Sequence, residues 1–598
     1  FIQRGNKTEV NTFPNEPFKS YFSGNTVQIC PVGALTSTSY RFKARPWDLK
    51  STRSTCNGCP TGCSIELNSS QNKMLRILGV DNDAVNQGWM CDKGRYNFEY
   101  LNSDSRLKTP LKMMDNELVE IEIQDIYSEL TEFIKDRQTK VNFLLGSNLT
   151  NEDYVAFREF SKTISQSESS FYLNDDLLYK GFFGDNIELA KIDDLNSSDA
   201  IVVWAEDLKE KLPVLYLRIR QAVKNGVKLV VFGHTNETLS DIADVFYGKD
   251  MVSENFEILK DLSKMKEINN LVVGKNITAI LGKSTPYQAD ESITKLFEFL
   301  NSNANSKVLN AYSKGNTYGA FQTLENLKGL NDFVNDISKD NTDLLFIVGA
   351  DPIGRSVYSN QIKSIIKSID TVVTLDNFNH ETSELSDYVV PISSTLGEKE
   401  GTFTNIEFRT SRIEKLVPSP GQTVSDWEFI TSLMNFAGLK AEANSLEDLN
   451  RKAYENLDSS LSPVFDNLDK PSNLDGMINI SKPKISTSEN KLNKTMFFTG
   501  EKLYGDSATE RHSDSISMLG SKKFIEVSES VVEKYNLTSG SCTLTQDELE
   551  VTVSYEVNNN FPNDLVYIPT NRRELNKFDF SREILIIPTQ VKEALNVN

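Results

Sequence analysis

Cys56, Cys59, Cys63 and Cys91 are the residues of this 598-residue chain whose type and spacing could do chemistry. They are arranged C-x2-C-x3-C-x27-C. Three thiols on one short Gly/Pro-containing loop, joined by a fourth from further along, can surround a cubane [4Fe–4S] cluster, which four cysteines commonly hold. Gly58, Gly62, Gly88 and Gly94 let backbone close around such a core and offer N–H groups to its sulfurs. A cluster of this kind moves single electrons, so the chain reads as an electron conductor. Zinc held by four thiolates is the competing reading, but zinc prefers paired C-x2-C knuckles and the second half here is one Cys. A disulfide framework fails on number, with six Cys in 598 residues.

A second signal precedes the first. Cys30-Pro31, in the stretch 23–35, has the Cys-Pro ending that closes a ferredoxin-type C-x2-C-x2-C…C-P ligand set. Its three partners are expected upstream, where residues 1–29 hold no Cys. The chain starts with Phe, so it reads as the carboxy-terminal portion of a longer protein, with Cys30 the fourth ligand of a cluster whose other ligands are absent. A lone buried thiol before a turn-forming proline is the alternative. Cys542 lies in an alternating β pattern and reads as a small core residue. Lys93, two residues after the fourth Cys, is placed to offset a cluster's negative charge from its outer shell. The three histidines, His234, His380 and His512, show no H-E-x-x-H spacing and read as structural.

The elements that position these residues are legible in outline. Short β-branched runs at 141–147, 199–204, 227–233, 277–282, 344–349 and 371–375 alternate with helical patterns. One such helix carries apolar residues at Leu212, Leu215, Tyr216, Ile219 and Val223, the i, i+3, i+4, i+7 spacing of a buried face. Continuous apolar strands separated by helices imply parallel sheet covered on both faces, a doubly wound α/β arrangement. Residues 231–234 and 347–352 place glycine at strand ends, where open α/β sheets bind ligands. Residues 441–495 are Asn/Ser/Asp/Lys-rich and weakly periodic, the mark of a linker. Beyond them, 524–527, 542–545, 549–557 and 565–568 alternate as short strands of a β-barrel-like domain.

These stretches resemble a known family. Residues 24–36 and 40–49 are similar to the large iron–sulfur subunit of bacterial respiratory complex I, and the Cys56–Cys91 set matches a [4Fe–4S] site shared with the molybdopterin oxidoreductases. The resemblance continues through 85–95 and 106–111 and returns at 397–405, with Glu407 and Arg409, and at 418–427. It implies an α/β, molybdopterin-oxidoreductase-like fold. Residues 1–45 would end a preceding ferredoxin-like [4Fe–4S] domain and 46–104 form the cluster domain. Residues 105–440 would form the α/β domains, 441–495 a linker and 496–598 the β-barrel-like domain. Within the 397–409 motif, Glu398, Glu400, Glu407 and Arg409 are expected to tie a loop to its neighbours by charge-assisted hydrogen bonds.

The implied function is an iron–sulfur electron-transfer and scaffold subunit of NADH:quinone oxidoreductase, relaying electrons from NADH and flavin toward quinone. Its cofactors would be one [4Fe–4S] cluster on Cys56, Cys59, Cys63 and Cys91 and, in the full-length protein, a second that includes Cys30. Its partners would be other subunits of the complex I hydrophilic arm, with the chain peripheral at the cytoplasmic face of the inner membrane. The alternative is a molybdopterin-dependent oxidoreductase of the formate dehydrogenase or nitrate reductase type. Active relatives commonly hold molybdenum or tungsten through a Cys, and no Cys lies between Cys91 and Cys542, so no molybdopterin is expected. No catalytic residue is assigned. A net charge of −20, from 64 basic and 84 acidic residues, argues against a nucleic-acid partner. Unpaired iron-binding thiols point to a reducing compartment.

Overall fold

The computed structural model describes residues 2–9, 20–135, 139–164, 169–175, 177, 188–233, 237–247, 262–282, 300, 304–454, 495–572, 574–580 and 582–589. An amino-terminal antiparallel sheet of Lys50–Thr55, Ser64–Ser70 and Lys73–Gly79 carries the cysteine loop between its first two strands. The turn joining the last two uses Gln71 and Asn72 at φ +51° and +61°, the left-handed pair a tight hairpin demands.

Two larger sheets form the α/β body. In one, Val245–Tyr247, Lys228–Phe232, Ala200–Trp204, Asn276–Leu281, Asn305–Asn310 and Glu188–Leu189 lie side by side, all parallel. Alternate residues feed two cores: Ile201, Val203 and Val231 face one side, Val202, Trp204 and Phe232 the other. Burial on both faces is why these strands read as unbroken apolar runs. The chain leaves Ala200–Trp204 to one side for its next two strands, then returns to the other side at Asn276–Leu281, so a topological switch point lies between Trp204 and Leu281.

The second body sheet departs from the all-parallel expectation. Its order is Glu117–Glu120, Leu111–Met114, Tyr388–Pro391, Thr371–Asp376, Leu344–Val348, Val141–Leu145 and Phe171–Leu173. The last five are parallel, and the 111–120 hairpin adds two antiparallel strands at one edge. A hairpin needs no crossover helix, so it carries no helical period to announce its place in the sheet.

The carboxy-terminal part is a curled six-stranded sheet, half of a barrel: Met496–Gly500, Leu565–Pro569, Phe524–Val527, Leu549–Val557, Ser541–Gln546 and Leu585–Pro588. The linker expected over 441–495 needs correction at its start. Ser445 caps a helix, Leu446–Ala453, whose Leu449, Ala453 and following Tyr454 are buried in the main core, while Asn450 donates to the buried Glu152. The polar composition there belongs to the helix's outer face. Residues 455–494 and His234 lie outside the described residues.

Candidate metal centre

The cysteine loop is closed at its base. Thr55 and Ser64 form the last rung of the hairpin, and the Cys56 N–H donates to the Cys63 carbonyl at 2.9 Å. Gly62 sits at φ +63°, and a Cβ there would lie 2.9 Å from Asn405 Cβ. The loop is therefore pressed against the hairpin of Gly401–Thr404 and Thr410–Ile413, whose Ile406 N–H donates to the Pro60 carbonyl at 2.7 Å. Cys91 arrives as the N-cap of the helix Asp92–Tyr96, its sulfur accepting the Gly94 N–H at 3.4 Å. A Cβ on Gly94 would sit 3.1 Å from Cys56 Sγ, so glycine is what lets the two thiols share this space.

All four thiols line one cavity of about 50 Å³. Among the described residues no group of three or more His, Cys, Asp or Glu side chains is arranged to hold a single metal ion. Four cysteines around one cavity are the donor set that a [4Fe–4S] core takes. Burial raises the pKa of all four, and proximity of the other cysteines raises those of Cys56, Cys63 and Cys91 further. For Cys91, burial and then Cys59 push the thiol up to about 12 against the opposing Gly94 N–H and Lys93. Such thiols become thiolates only when a cationic core takes the protons' place, so binding and deprotonation are coupled.

Cations stand ready around the cavity. Lys93 lines it and pairs with Glu510 at 3.0 Å. Burial pushes the Glu510 carboxyl up, but Lys93 and Arg355 outweigh it and hold the pKa down at about 2. The far wall is built by Glu210, Lys211, Glu501 and Lys502, from the α/β body and the half-barrel. Sequence spacing gave no sign of these four, because they come from segments about 300 residues apart and meet only on folding.

Cys30 lies elsewhere. It follows the helix Ser23–Ile29, is half-buried and does not line the four-thiol cavity. The backbone N–H of Leu35 lowers its pKa against an opposing effect of burial, with smaller contributions from the N–H groups of Val32, Ala34 and Gly33. Gly33 sits among them at φ +66°. The helix is fastened to the other site: the Asp92 carboxylate accepts from the Ser23 N–H (2.8 Å), the Ser23 hydroxyl (2.5 Å) and the Gly24 N–H (2.7 Å). Arg95 donates to Asn25 and Gln28 of the same helix.

The remaining expectations divide. Cys542 is fully buried in the half-barrel core, where burial lifts its thiol to about 11. His380 is buried between Asp351 (3.3 Å) and Asp376 (3.2 Å), and His512 stacks on Phe378 at 4.6 Å. Glu398 takes a bidentate pair from Arg106, and Glu407 accepts from Arg409 at 2.6 Å and from the Ile192 N–H at 2.7 Å. Glu400 departs from the expectation: it is exposed, the turn leaving it in solvent. Its neighbour Lys399, which the sequence did not single out, is the buried tie, between Asp153 (2.6 Å) and Asp426. Burial pulls its ammonium down, but the two carboxylates hold its pKa above the ordinary lysine range.

At the switch point beyond Trp204 and Leu281 lies a second cavity of about 100 Å³. Its cations are already opposed by carboxylates: Lys211 by Glu206 at 2.8 Å, Lys314 and Arg355 by Glu501 at 3.7 and 3.9 Å. At the corresponding point of the other body sheet the two strand ends pass close, a Cβ on Gly146 lying 2.0 Å from the Gly349 carbonyl oxygen.

Family models match in three consecutive stretches: the ferredoxin-like domain of NADH-quinone oxidoreductase subunit 3 over 1–36, the molybdopterin oxidoreductase Fe4S4 domain over 49–103, and molybdopterin oxidoreductase over 106–436. An NADH-quinone oxidoreductase subunit of Mycobacterium tuberculosis is 34% identical over 233 residues, 37% of this chain and 29% of that protein. The match to its Streptomyces coelicolor counterpart takes in 19% of that protein. An NADH-quinone oxidoreductase subunit of Rhizobium meliloti is 22% identical over 96% of this chain and 76% of its own. The alpha subunit of Geobacter sulfurreducens NADPH-Fe(3+) oxidoreductase is 24% identical over 73% of this chain and 61% of its own length. Acetylene hydratase from Pelobacter acetylenicus shares the fold, with a TM-score of 0.58 at 12% identity over 86% of this chain and 92% of that one. With its central match running over more than half its length, behind an iron–sulfur domain, the chain belongs to the molybdopterin oxidoreductase family.

Proposed function

We propose that this chain is the iron–sulfur electron-transfer and scaffold subunit of an NADH:quinone oxidoreductase, relaying electrons from NADH and flavin toward quinone. One observation carries the reading: the Cys30 loop, inside the ferredoxin-like match, is bolted through Asp92 to the helix capped by Cys91. Two iron–sulfur sites on one hydrogen-bonded unit suit a relay, and the ferredoxin-like segment separates this reading from a free-standing molybdoenzyme.

In this reading Cys56, Cys59, Cys63 and Cys91 hold a [4Fe–4S] cluster, which when bound supplies one-electron transfer. Lys93 offsets the charge of four thiolates, and the Gly94 N–H donates to one of them. Cys30 supplies one ligand to a second cluster, its pKa already lowered by the Leu35 N–H. The chain works beside other subunits of the complex I hydrophilic arm, at the cytoplasmic face of the membrane. Among its described residues no helix is long and apolar enough to cross one.

The same reading holds that the α/β body binds no molybdopterin. The switch-point cavity of about 100 Å³ is far below the roughly 300–1,000 Å³ that encloses a drug-sized ligand, and a pyranopterin dinucleotide is larger still. Its lysines and arginine face carboxylates of the chain itself instead of awaiting a phosphate. Elemental analysis showing stoichiometric molybdenum or tungsten would overturn this part.

The test is genetic and spectroscopic. Deleting the chain from its host should abolish NADH:quinone activity of the membranes. A copy carrying Cys30→Ala should restore assembly but not turnover. Normal quinone reduction without the chain would refute the assignment. The Geobacter relative favours a second reading, in which the same relay serves a ferric acceptor. Loss of iron(III) reduction with quinone reduction intact would select it.

A further inference from the structure

Behind the far wall of the four-thiol cavity lies a third cavity of about 250 Å³. Glu210, Lys211, Glu501 and Lys502 face both. Its rim carries Glu556 and Val557, both exposed, so it opens to solvent. Most buried or half-buried carboxylates in this region have a cation within ion-pair distance: Glu206 has Lys211 (2.8 Å), Glu526 has Lys502 (2.5 Å) and Glu510 has Lys93 (3.0 Å). Asp207 is the exception. Among the described residues it makes no ion pair, and its carboxylate is met by two neutral donors, the Lys209 N–H at 2.9 Å and the Thr238 hydroxyl at 3.0 Å.

We propose that Asp207 is the proton acceptor coupled to reduction at the four-cysteine site: as the site gains one electron from a one-electron donor, the Asp207 carboxylate takes one proton from solvent through the third cavity. Electron and proton then arrive together, and the buried region gains no net charge. The inference rests on the four cysteines holding a cluster, as proposed above.

The groups facing Asp207 support it. On its own short helix are Glu210, whose negative charge disfavours a second one, and Lys211, already paired with Glu206. From the half-barrel come Lys502, which opposes that effect, and Glu526, Glu556, Glu501 and Tyr567. From the amino-terminal segment comes Tyr21, which donates to Glu210 at 2.7 Å. The helix Glu237–Ser240 contributes the neutral Thr238. Burial, then Glu210, raise the Asp207 carboxyl to about 7, so its protonation changes near neutrality. An electron added beyond Glu210 and Lys211 raises it further, because a like charge disfavours the carboxylate.

The sign follows. Well below pH 7 Asp207 is protonated in both redox states, and well above it carries charge in both. Between, reduction draws in a proton, so the midpoint potential falls as pH rises. The experiment is a redox titration of the intact iron-loaded protein at several pH values between about 6 and 8, followed by the electron-paramagnetic signal. Wild type should show a falling potential that levels off on the alkaline side. Asp207→Asn, neutral throughout, should hold the high potential at every pH. Glu210→Gln removes the like charge, so its inflection should move to lower pH, and it serves as the test if Asp207→Asn does not fold. A flat wild-type profile, a slope retained in Asp207→Asn, or an inflection unmoved by Glu210→Gln would overturn the proposal. Wild-type protein lacking iron and acid-labile sulfide would instead overturn the cluster reading on which it rests.

Discussion

The two cysteine sites are built on opposite plans. Cys56, Cys59, Cys63 and Cys91 are enclosed, with walls from three distant parts of the chain. Cys30 offers one sulfur at the surface, beside Ile29 and Val32, which are 74% and 80% exposed. Backbone N–H groups act at both, the Gly94 N–H donating to the Cys91 sulfur and that of Leu35 lowering the Cys30 pKa. What differs is who supplies the enclosure. The first site is enclosed by this chain's own fold, so a core bound there would join the cysteine loop to the helix Asp92–Tyr96 beneath walls from the α/β body and the half-barrel. The second presents one sulfur at the end of a helix that Asp92 and Arg95 of the first site anchor.

Substitutions should expose the contrast in decreasing order. Cys63→Ala should remove the enclosed cluster altogether, taking about four iron with it, and should lower the melting temperature because the loop loses its cross-link. Cys30→Ala, made in the assembled complex, should delete a different electron-paramagnetic signal and leave the enclosed one intact, since the two proposed sites share no ligand. Loss of both signals from a folded protein would erase the distinction.

Lys93→Gln should keep the cluster but alter it. Removing a cation from the cavity wall disfavours the reduced state, so the midpoint potential should fall. Glu510, 2% exposed, would lose its near partner, lowering stability by about 2–3 kcal/mol, below the usual range for a broken buried pair because Lys93 is itself partly exposed. An unchanged potential would remove Lys93 from the electrostatics of the site.

His380→Gln should leave both cysteine sites as they are and change only stability. Burial lowers the His380 pKa, but Asp351 and Asp376 outweigh it and raise it to about 10. Its folded value lies above the unfolded one, so the stabilisation is fully present below about pH 6.5 and is lost as pH rises through about 10. The melting-temperature difference between wild type and His380→Gln should be largest near pH 6 and vanish above about pH 10. A constant difference would mean the histidine acts by packing alone.

Much of this was readable from residues, for physical reasons that also explain what was not. The cysteine set announced itself because four cysteines at this spacing are what a cluster would need, and Gly94 and Gly62 lie where a Cβ has no room. The 397–409 stretch stood out because it props the cysteine loop and the main core together, through Ile406 to Pro60 and through Glu398 to Arg106. Apolar strands gave the α/β body, since burial on both faces leaves no alternation. The 111–120 hairpin and the helix Leu446–Ala453 were hidden, the first by having no crossover period and the second by a polar outer face. Glu210, Lys211, Glu501 and Lys502 had no local signature at all, because charges that meet across a cavity are specified by topology and not by spacing.

Iron and acid-labile sulfide analysis of anaerobically purified protein, with zinc measured on the same sample, tests the central claim most directly. The enclosed site should give about four iron and four sulfide per chain, all lost in Cys63→Ala. Stoichiometric zinc without acid-labile sulfide would contradict the account.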